Sequence, residues 1–565
     1  MNTSSKLVEI LTTLGVERVY GIPGDAINSL IEAIRRQSVI QFIQVRHEEA
    51  GAFAAVAEAK LTGKLAVCVG TAGPGAVHLL NPLYDARMDG APVLAITGQV
   101  ATRHIGSHYH QEIDLYTLFK DATVFNETVV SVEQMPNIAI HACQAAIAKR
   151  GPAHLSLPAD IADARVASGA DAHQVFLNRA QTTPCDGELQ EAANLLNKSD
   201  RVVILAGAGC RDAGKELVAL SESLGAPIIK ALRGKDILPD EHPNVIGGLG
   251  LLGVKPAVDA IDHADALLMI GTDFPYRNFL PKATPAIQID IDPDRLGRRY
   301  PIALGLLGHA KPTIQALCAL LHVKDNRSFL QEHQDGMRRW FTEMEKVESS
   351  DDTPIRPQRV ANALGRLASD DAIFCCDTGA VTVWGARNLR LRDQQRFTLS
   401  SSLASMAYAM PASIGAQLAY PDRQVIALAG DGSIGMLLGD FLTLVKYELP
   451  VTIVVFNNSK LGLIQMEQEV QGYPEHETGL HNPDFAEFAK LCGGQGRTVT
   501  SPDELDDALL WALSNGKPTM LNVIINPEER TMPPKIELNQ AWGFGIAKVR
   551  EFFGAGDASG GEHKS

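Results

Sequence analysis

The stretch Val425–Glu467, VIALAGDGSIGMLLGDFLTLVKYELPVTIVVFNNSKLGLIQME, holds two apolar, β-branched runs with a helix-length segment between them. The first run, Val425–Ala429, ends in Gly430-Asp431-Gly432-Ser433, and the second, Val451–Phe456, ends in Asn457-Asn458. Two such runs joined by a helix form a βαβ unit of a parallel sheet. Ligands of these units lie beyond the carboxyl ends of the strands, where both polar clusters fall. Gly430 and Gly432 permit close backbone approach, and Asp431 and Asn458 present oxygens from neighbouring strand tips. Mg²⁺ prefers oxygen ligands and keeps phosphate oxygens as further ligands, so the pair reads as a magnesium–diphosphate cradle. Either turn alone would read as a plain turn; two on successive strands favour the cradle.

The same α/β pattern extends in both directions. Residues 1–165 alternate helical and strand-like segments, with apolar runs at Phe42–Arg46, Leu65–Gly70 and Val93–Thr97. Residues 189–322 begin again: Val202–Ala206 runs into Gly207-Ala208-Gly209, Ala266–Ile270 into Gly271-Thr272-Asp273, and Ala286–Ile291 into Asp292-Pro293. Glycine at such turns can serve sterics alone, but three polar or glycine tips in one unit favour a dinucleotide. Residues 357–530 form a third unit containing the cradle. The expected class is therefore α/β, three doubly wound parallel-sheet domains, with units one and three alike in pattern. The linkers fall at Ala164–Glu188 and at a charged, partly helical Lys324–Arg356, and 531–565 is a tail with a disordered end.

Composition narrows the function. A chain of 565 residues is too long for one core and divides into about three domains. With 45% hydrophobic and 21% charged residues it is an ordinary globular sequence, and a net charge of −15 without a basic cluster excludes nucleic acid as a partner. Eight cysteines without a CxxC pattern indicate neither zinc nor a disulfide framework. The N-terminal segment is a charged amphipathic helix rather than a signal peptide, and no apolar run reaches spanning length, so a cytoplasmic protein is expected.

Three clusters in residues 1–165 carry candidate chemistry. Arg46-His47-Glu48-Glu49 closes an apolar run and opens an Ala-rich segment; an acid there is partly desolvated and suited to share a proton. Position alone leaves Glu48 and Glu49 equal, and a solvated helix-start carboxylate remains the plainer reading. Gly70-Thr71-Ala72-Gly73-Pro74-Gly75 is a loop open to close backbone approach. Ser107-His108-Tyr109-His110-Gln111-Glu112 is a polar patch able to reach a substrate, or simply surface.

These residues carry a resemblance. Gly430-Asp431-Gly432 with Asn457-Asn458 resembles the signature of the thiamine-diphosphate enzymes, and Tyr20-Gly21-Ile22-Pro23-Gly24-Asp25, Arg46-His47-Glu48-Glu49 and Gly73-Pro74-Gly75 resemble their pyrimidine-binding domain. From Leu7 to about Phe553 the chain is most similar to pyruvate oxidases and quinone-linked pyruvate dehydrogenases, notably in QVRHEEAGAFAA, IGTDFPYRNF and QIDIDPDRLG. The resemblance implies thiamine diphosphate, Mg²⁺ and FAD as cofactors, and a 2-oxo acid as substrate. It settles on Glu48 as the partner of the aminopyrimidine ring. Asp431, Asn458 and the Lys460 carbonyl would hold Mg²⁺, with Gly430, Gly432, Ser433, Thr378 and Gly379 at the diphosphate. Met406 would prop the cofactor, and Pro23, Gly73 and Asn81 would lie along it. Gly207, Ala208, Gly209, Gly271, Thr272, Asp273, Phe274, Arg277, Asp290 and Ile291 would line FAD.

Gln111, His110, Ile464 and Glu467 would meet substrate. Acetolactate synthases, which carry FAD without using it for redox, have a tryptophan where this chain has Glu467. The oxidases have Phe-Gln-Glu where this chain has His110-Gln111-Glu112, which places a titratable group near the substrate. The terminal GAGDASGGEHKS has no apolar face for a lipid surface, so membrane activation is not expected. The resemblance thus implies oxidative decarboxylation of pyruvate to acetate or acetyl phosphate and CO₂, with electrons passing through FAD to oxygen or a quinone. The alternatives are an acetolactate-synthase-like carboligase with structural FAD, or a silent nucleotide-binding protein lacking the Glu48 and metal chemistry. A homotetramer with sites at subunit interfaces is implied in the same way.

Overall fold

Among the described residues three sheets of six strands are present, and every pairing within them is parallel. The structure is a computed structural model describing residues 1–166, 181–392 and 394–530, together with Pro534. The expected tail at 531–565 and most of the first linker lie outside these residues. The end of that linker is helical, since a helix begins at Asp186.

The first sheet contains β1 (Arg18–Gly21), β2 (Gln41–Gln44), β3 (Ala66–Gly70), β4 (Val93–Gln99), β5 (Phe125–Thr128) and β6 (Pro152–Pro158). The second contains β7 (Val202–Ala206), β8 (Ile228–Lys230), β9 (Val245–Gly248), β10 (Ala266–Ile270), β11 (Ala286–Asp290) and β12 (Leu304–Leu307). The third contains β13 (Ile373–Cys376), β14 (Arg396–Leu399), β15 (Val425–Gly430), β16 (Thr452–Asn457), β17 (Gln495–Val499) and β18 (Thr519–Ile524). The outer two share one spatial order, β2-β1-β3-β4-β6-β5 and β14-β13-β15-β16-β18-β17. The middle sheet differs: β12-β11-β10-β7-β8-β9, the arrangement of dinucleotide-binding folds.

The strand order reverses between β1 and β3, β7 and β10, and β13 and β15, and the outer sheets turn back once more at their edges, β6-β5 and β18-β17. A crevice opens at such a switch point beyond the strands' carboxyl ends. The first and third sheets are bound together by the helices Glu48–Thr62 and Ala409–Ala419, which belong to one shared apolar core. The sequence AGAFAAVAEA is small and apolar on all sides, as a helix buried all round requires. At the crossing, a side chain on Gly415 would put its Cβ 2.1 Å from the Ala54 carbonyl oxygen. The charged segment after the second unit is one long helix, Ser328–Glu348. Among the described residues no helix is long and apolar enough to cross a membrane.

Candidate active site

The cradle forms at the third switch point. β15 ends at Gly430, which lies opposite Phe456 in the ladder with β16. Asp431 opens the helix Asp431–Met436 and is 3% exposed. Its partners are neutral: Asn482 Nδ2 donates to Oδ2 at 2.8 Å, and backbone amides including those of Gly432 and Ser459 add to it. Burial pushes the Asp431 carboxyl up to about 6, with the Asn482 bond opposing. A buried carboxylate surrounded by neutral donors is costly unless a cation joins it. Asn458 supplies Oδ1, which also accepts the Lys460 N–H at 3.1 Å. Lys460 pairs with Gly479 through the flanking amides of Leu461 and Leu480, not through its own carbonyl. Carboxylate, amide and carbonyl oxygens make a hard donor set, which suits Mg²⁺.

The other cradle residues gather here. Ser433 Oγ donates to the Thr378 carbonyl at 3.2 Å, drawing the tips of β13 and β15 together. Gly379 sits at φ +134°, in the left-handed region that favours glycine. A Cβ on Gly432 would stand 2.8 Å from Leu461 Cδ2 and 3.6 Å from Met406 Cε. Met406 is thus half-buried against the cradle rather than in the core. Asn457 turns inward to Asn522 at 2.9 Å, so that of the pair Asn458 is the one whose side chain could reach an ion.

A second group forms at the first switch point. His47 caps the helix Glu48–Thr62, its Nδ1 accepting the Glu49 N–H at 3.2 Å. Glu48 is 7% exposed and its Oε2 lies 2.9 Å from His78 Nδ1. The His47 and His78 rings lie 4.3 Å apart. Glu49 is only half-buried and accepts from Asn81 Nδ2 at 2.6 Å. Asn81 also donates to Ser405 Oγ at 2.8 Å, so it ties the first unit to the third. Gly75 faces Glu48, since its Cβ would lie 3.2 Å from Oε1. The expected loop at Gly73–Gly75 becomes a helical turn from Pro74 to Val77. Gly73 abuts Gln111, and Gly24, beside the exposed Pro23, abuts Thr71. His110 is exposed on the same loop, which Glu112 braces by accepting the Gly106 and His108 amides at 2.9 and 2.8 Å.

Ile464 and Glu467 lie on the helix Gly462–Val470, directly after the cradle loop, and both are exposed, Ile464 at 45%. Gln465, between them in sequence, is buried and donates to Glu475 at 2.7 Å. That contact fixes which face of the helix looks outward. No hydrogen bond among the described residues bridges the Glu48 group to the Asp431 group.

In the middle unit the glycines fit one another. A Cβ on Gly207 would meet the Gly271 oxygen at 2.5 Å, and one on Gly209 the Gly271 Cα at 2.6 Å. Gly271 itself has φ +58°. Close approach of β7 and β10 accounts for all three. Ala208 starts the turn after β7, Thr272 and Phe274 are buried, and Arg277 and Ile291 are exposed. Asp273 pairs with Arg298 and with Arg299 at 3.3 Å. Asp290 is buried at the tip of β11, its Oδ1 accepting the Asp292 N–H at 3.0 Å, and burial raises its pKa. These residues line the edge of the second switch point.

Models of the thiamine pyrophosphate enzyme domains match in chain order. The N-terminal TPP-binding domain covers residues 1–118, the central domain 189–317 and the C-terminal TPP-binding domain 377–523. The chain belongs to the thiamine pyrophosphate enzymes. It is 43% identical over 97% of its length to 95% of YdaP of Bacillus subtilis, described as thiamine pyrophosphate-containing. It is 33% identical, over 95% of its length, to 90% of a pyruvate oxidase of Lactiplantibacillus plantarum. Against a protein of Methanocaldococcus jannaschii described as an acetolactate synthase large subunit, it is 31% identical over 94% of its length and 93% of that protein. As a thiamine pyrophosphate enzyme the chain uses its outer two units for the cofactor, and both carry a polar group at the switch point. Asn482, bonded to Asp431, and His78, beside Glu48, complete these groups and are not marked by the sequence pattern. His78 stands four residues after Pro74 in the loop already singled out; Asn482 sits in a connection with no pattern of its own.

Proposed function

We propose that the protein is a pyruvate oxidase, converting pyruvate to CO₂ and acetate or, where phosphate attacks, acetyl phosphate, with two electrons passing to FAD and then to oxygen or a quinone. The observation that carries this reading is the outward-facing pair Ile464 and Glu467 immediately after the cradle, without the tryptophan expected of a carboligase. Thiamine diphosphate supplies, when bound, a carbon nucleophile and an electron sink for loss of the carboxyl group. This chain's residues do the rest. Asp431, Asn458 and the Lys460 carbonyl would hold Mg²⁺, and Gly432 and Ser433, at a helix start, would border the diphosphate. Glu48, buried beside His78, holds the proton shared with the aminopyrimidine ring. Gln111 and His110 approach the substrate carboxylate, and Ile464 screens the reacting centre from water.

The oligomeric state is read, from the resemblance to pyruvate oxidases, as a homotetramer with its sites at subunit interfaces. The switch point between β7 and β10 supports FAD. A carboligase with structural FAD is the second reading, favoured by the similarity to an acetolactate synthase large subunit. Anaerobic mixing with thiamine diphosphate, Mg²⁺ and pyruvate separates them: the oxidase bleaches its flavin absorbance. Acetolactate formation with the flavin still oxidised would overturn the proposal. Glu48→Gln is expected to slow bleaching by about 10²-fold or more with flavin content unchanged.

A further inference from the structure

We propose that Asp440 is a positioning residue for Glu48: a clasp, carried by the segment that leaves the cradle, that sets the turn bearing this carboxylate. The inference rests on the role given to Glu48 above. Arg46-His47-Glu48 is the turn between β2, an outermost strand, and the helix Glu48–Thr62. An outer strand leaves one row of backbone groups without ladder partners, and a helix start leaves amides without acceptors. Residues 440–447 of the third unit meet both needs.

Asp440 Oδ1 accepts the Arg46 N–H at 2.8 Å, and the His47 N–H also bonds this carboxylate. Tyr447 Oη accepts the Gln44 N–H at 2.7 Å and donates to the Phe42 carbonyl at 3.3 Å. Lys446 Nζ donates to Gln44 Oε1, and Thr443 Oγ1 donates to Asp440 Oδ1 at 2.8 Å. Asp440 is 1% exposed and makes no capping bond to the amides of its own helix, Phe441–Lys446. A buried carboxylate is thus committed to the backbone of another unit, at the two residues preceding Glu48. Tyr447 and Lys446 hold the strand; Asp440 holds the turn.

The other end of the segment is Asp431. Only the helix Asp431–Met436 and the turn Leu438–Asp440 separate the metal ligand from the clasp. Cradle and clasp thus sit at the two ends of one short segment of the chain.

The test compares Asp440→Asn, Thr443→Val and Tyr447→Phe, with Asp440→Asn also made in Glu48→Gln. Amide hydrogen exchange across residues 42–50 is read in protein without added cofactor. Deuterium exchange at the reactive thiazolium carbon is read by NMR after acid quench, at equal cofactor occupancy. Asp440→Asn is expected to speed amide exchange at the turn and to slow carbon exchange on the order of 10²-fold, the loss a small misplacement produces. In Glu48→Gln the same change adds nothing. Thr443→Val, which trims one donor from the carboxylate, acts in the same direction to a smaller degree and serves if Asp440→Asn does not fold. Tyr447→Phe lowers the melting temperature and leaves carbon exchange within about twofold of wild type, since it loosens only the strand. An unchanged carbon exchange in Asp440→Asn, an equal slowing in Tyr447→Phe, or a slowing that multiplies with that of Glu48→Gln would each overturn the clasp. An unchanged rate in Glu48→Gln alone would overturn the role of Glu48, and the clasp with it.

Discussion

Asp377 shows how a single residue can matter to a site without touching its ligand. It follows β13 and precedes Thr378-Gly379, is 1% exposed, and accepts the Ala409 N–H at 2.7 Å together with the amides of Tyr408 and Gly430. Burial pushes its carboxyl from 3.8 up to about 7. The folded state therefore holds a proton that the unfolded chain releases near pH 3.8. Its stabilising contribution is complete below that pH, declines as pH rises, and is gone above about 7. Asp377→Asn removes this dependence. The advantage of wild type over the variant is expected to shrink by up to about 1.4 kcal/mol per pH unit between roughly pH 4 and 7, then stay level. Melting curves across that range check it; a constant gap would assign the burial another origin. In the sequence, an Asp after an apolar run is unremarkable, whereas Asp431 drew attention through Gly430, Gly432 and the matching Asn458. Asn482 and Asp440 came from contacts across long separations, which no local pattern encodes.

Among elements, the crossing of helices Glu48–Thr62 and Ala409–Ala419 sets how the two cofactor-binding units meet. Ala in place of Gly415 would gain about 1 kcal/mol of helix propensity. Its Cβ, 2.1 Å from the Ala54 oxygen, must instead push two well-packed helices apart, which costs about 1–3 kcal/mol or more. Because the obstacle is backbone, the larger cost wins, and Gly415→Ala is expected to lower the melting temperature. Gly187→Ala is the control: it lies in the helix Asp186–Lys198 with nothing within 4 Å of its Cβ. It should leave stability unchanged or raise it by up to about 1 kcal/mol. Strands were legible by the same logic of burial. β3, β4, β7, β10, β15 and β16 are buried along most of their lengths and read as continuous apolar runs. Strands β5, β9, β12, β14 and β17 passed unread, and each is a sheet edge. Phe125-Asn126-Glu127-Thr128 and Gln495-Gly496-Arg497-Thr498-Val499 are half-exposed and polar, as an edge allows. Interior β6 was hidden for another reason, the prolines at both of its ends and His154 and Ser156 between them.

For the whole molecule, the three-unit plan and the kinship of the outer units were legible, because repetition of pattern needs no knowledge of contacts. What joins the units was not. Lys60, on the helix that begins at Glu48, reaches Asp85 Oδ2 at 2.6 Å, Asp89 Oδ2 at 2.7 Å and the Leu399 carbonyl at 2.9 Å. Ser400 and Ser401 of the third unit donate to Asp85 and Asp89 at 2.8 and 2.7 Å. Arg233 of the middle unit lies 3.5 Å from Asp89 Oδ1 and donates to the Asp89 carbonyl. Burial pushes Asp85 up to about 6, against the pull of Lys60. Two cations and two carboxylates, contributed by two units and bound by the third, thus meet here, all but the partly exposed Arg233 out of water. A buried network of this kind adds little over an apolar core, but removing one member strands a charge and costs about 3–5 kcal/mol. Lys60→Met is expected to destabilise by that amount, and Lys60→Met with Asp85→Asn to recover part of it. Since the knot is where all three units touch, calorimetry of Lys60→Met should resolve separate unfolding transitions. A single transition at an unchanged temperature would place the coupling of the units elsewhere, at the Asp440 segment and the Gly415 crossing.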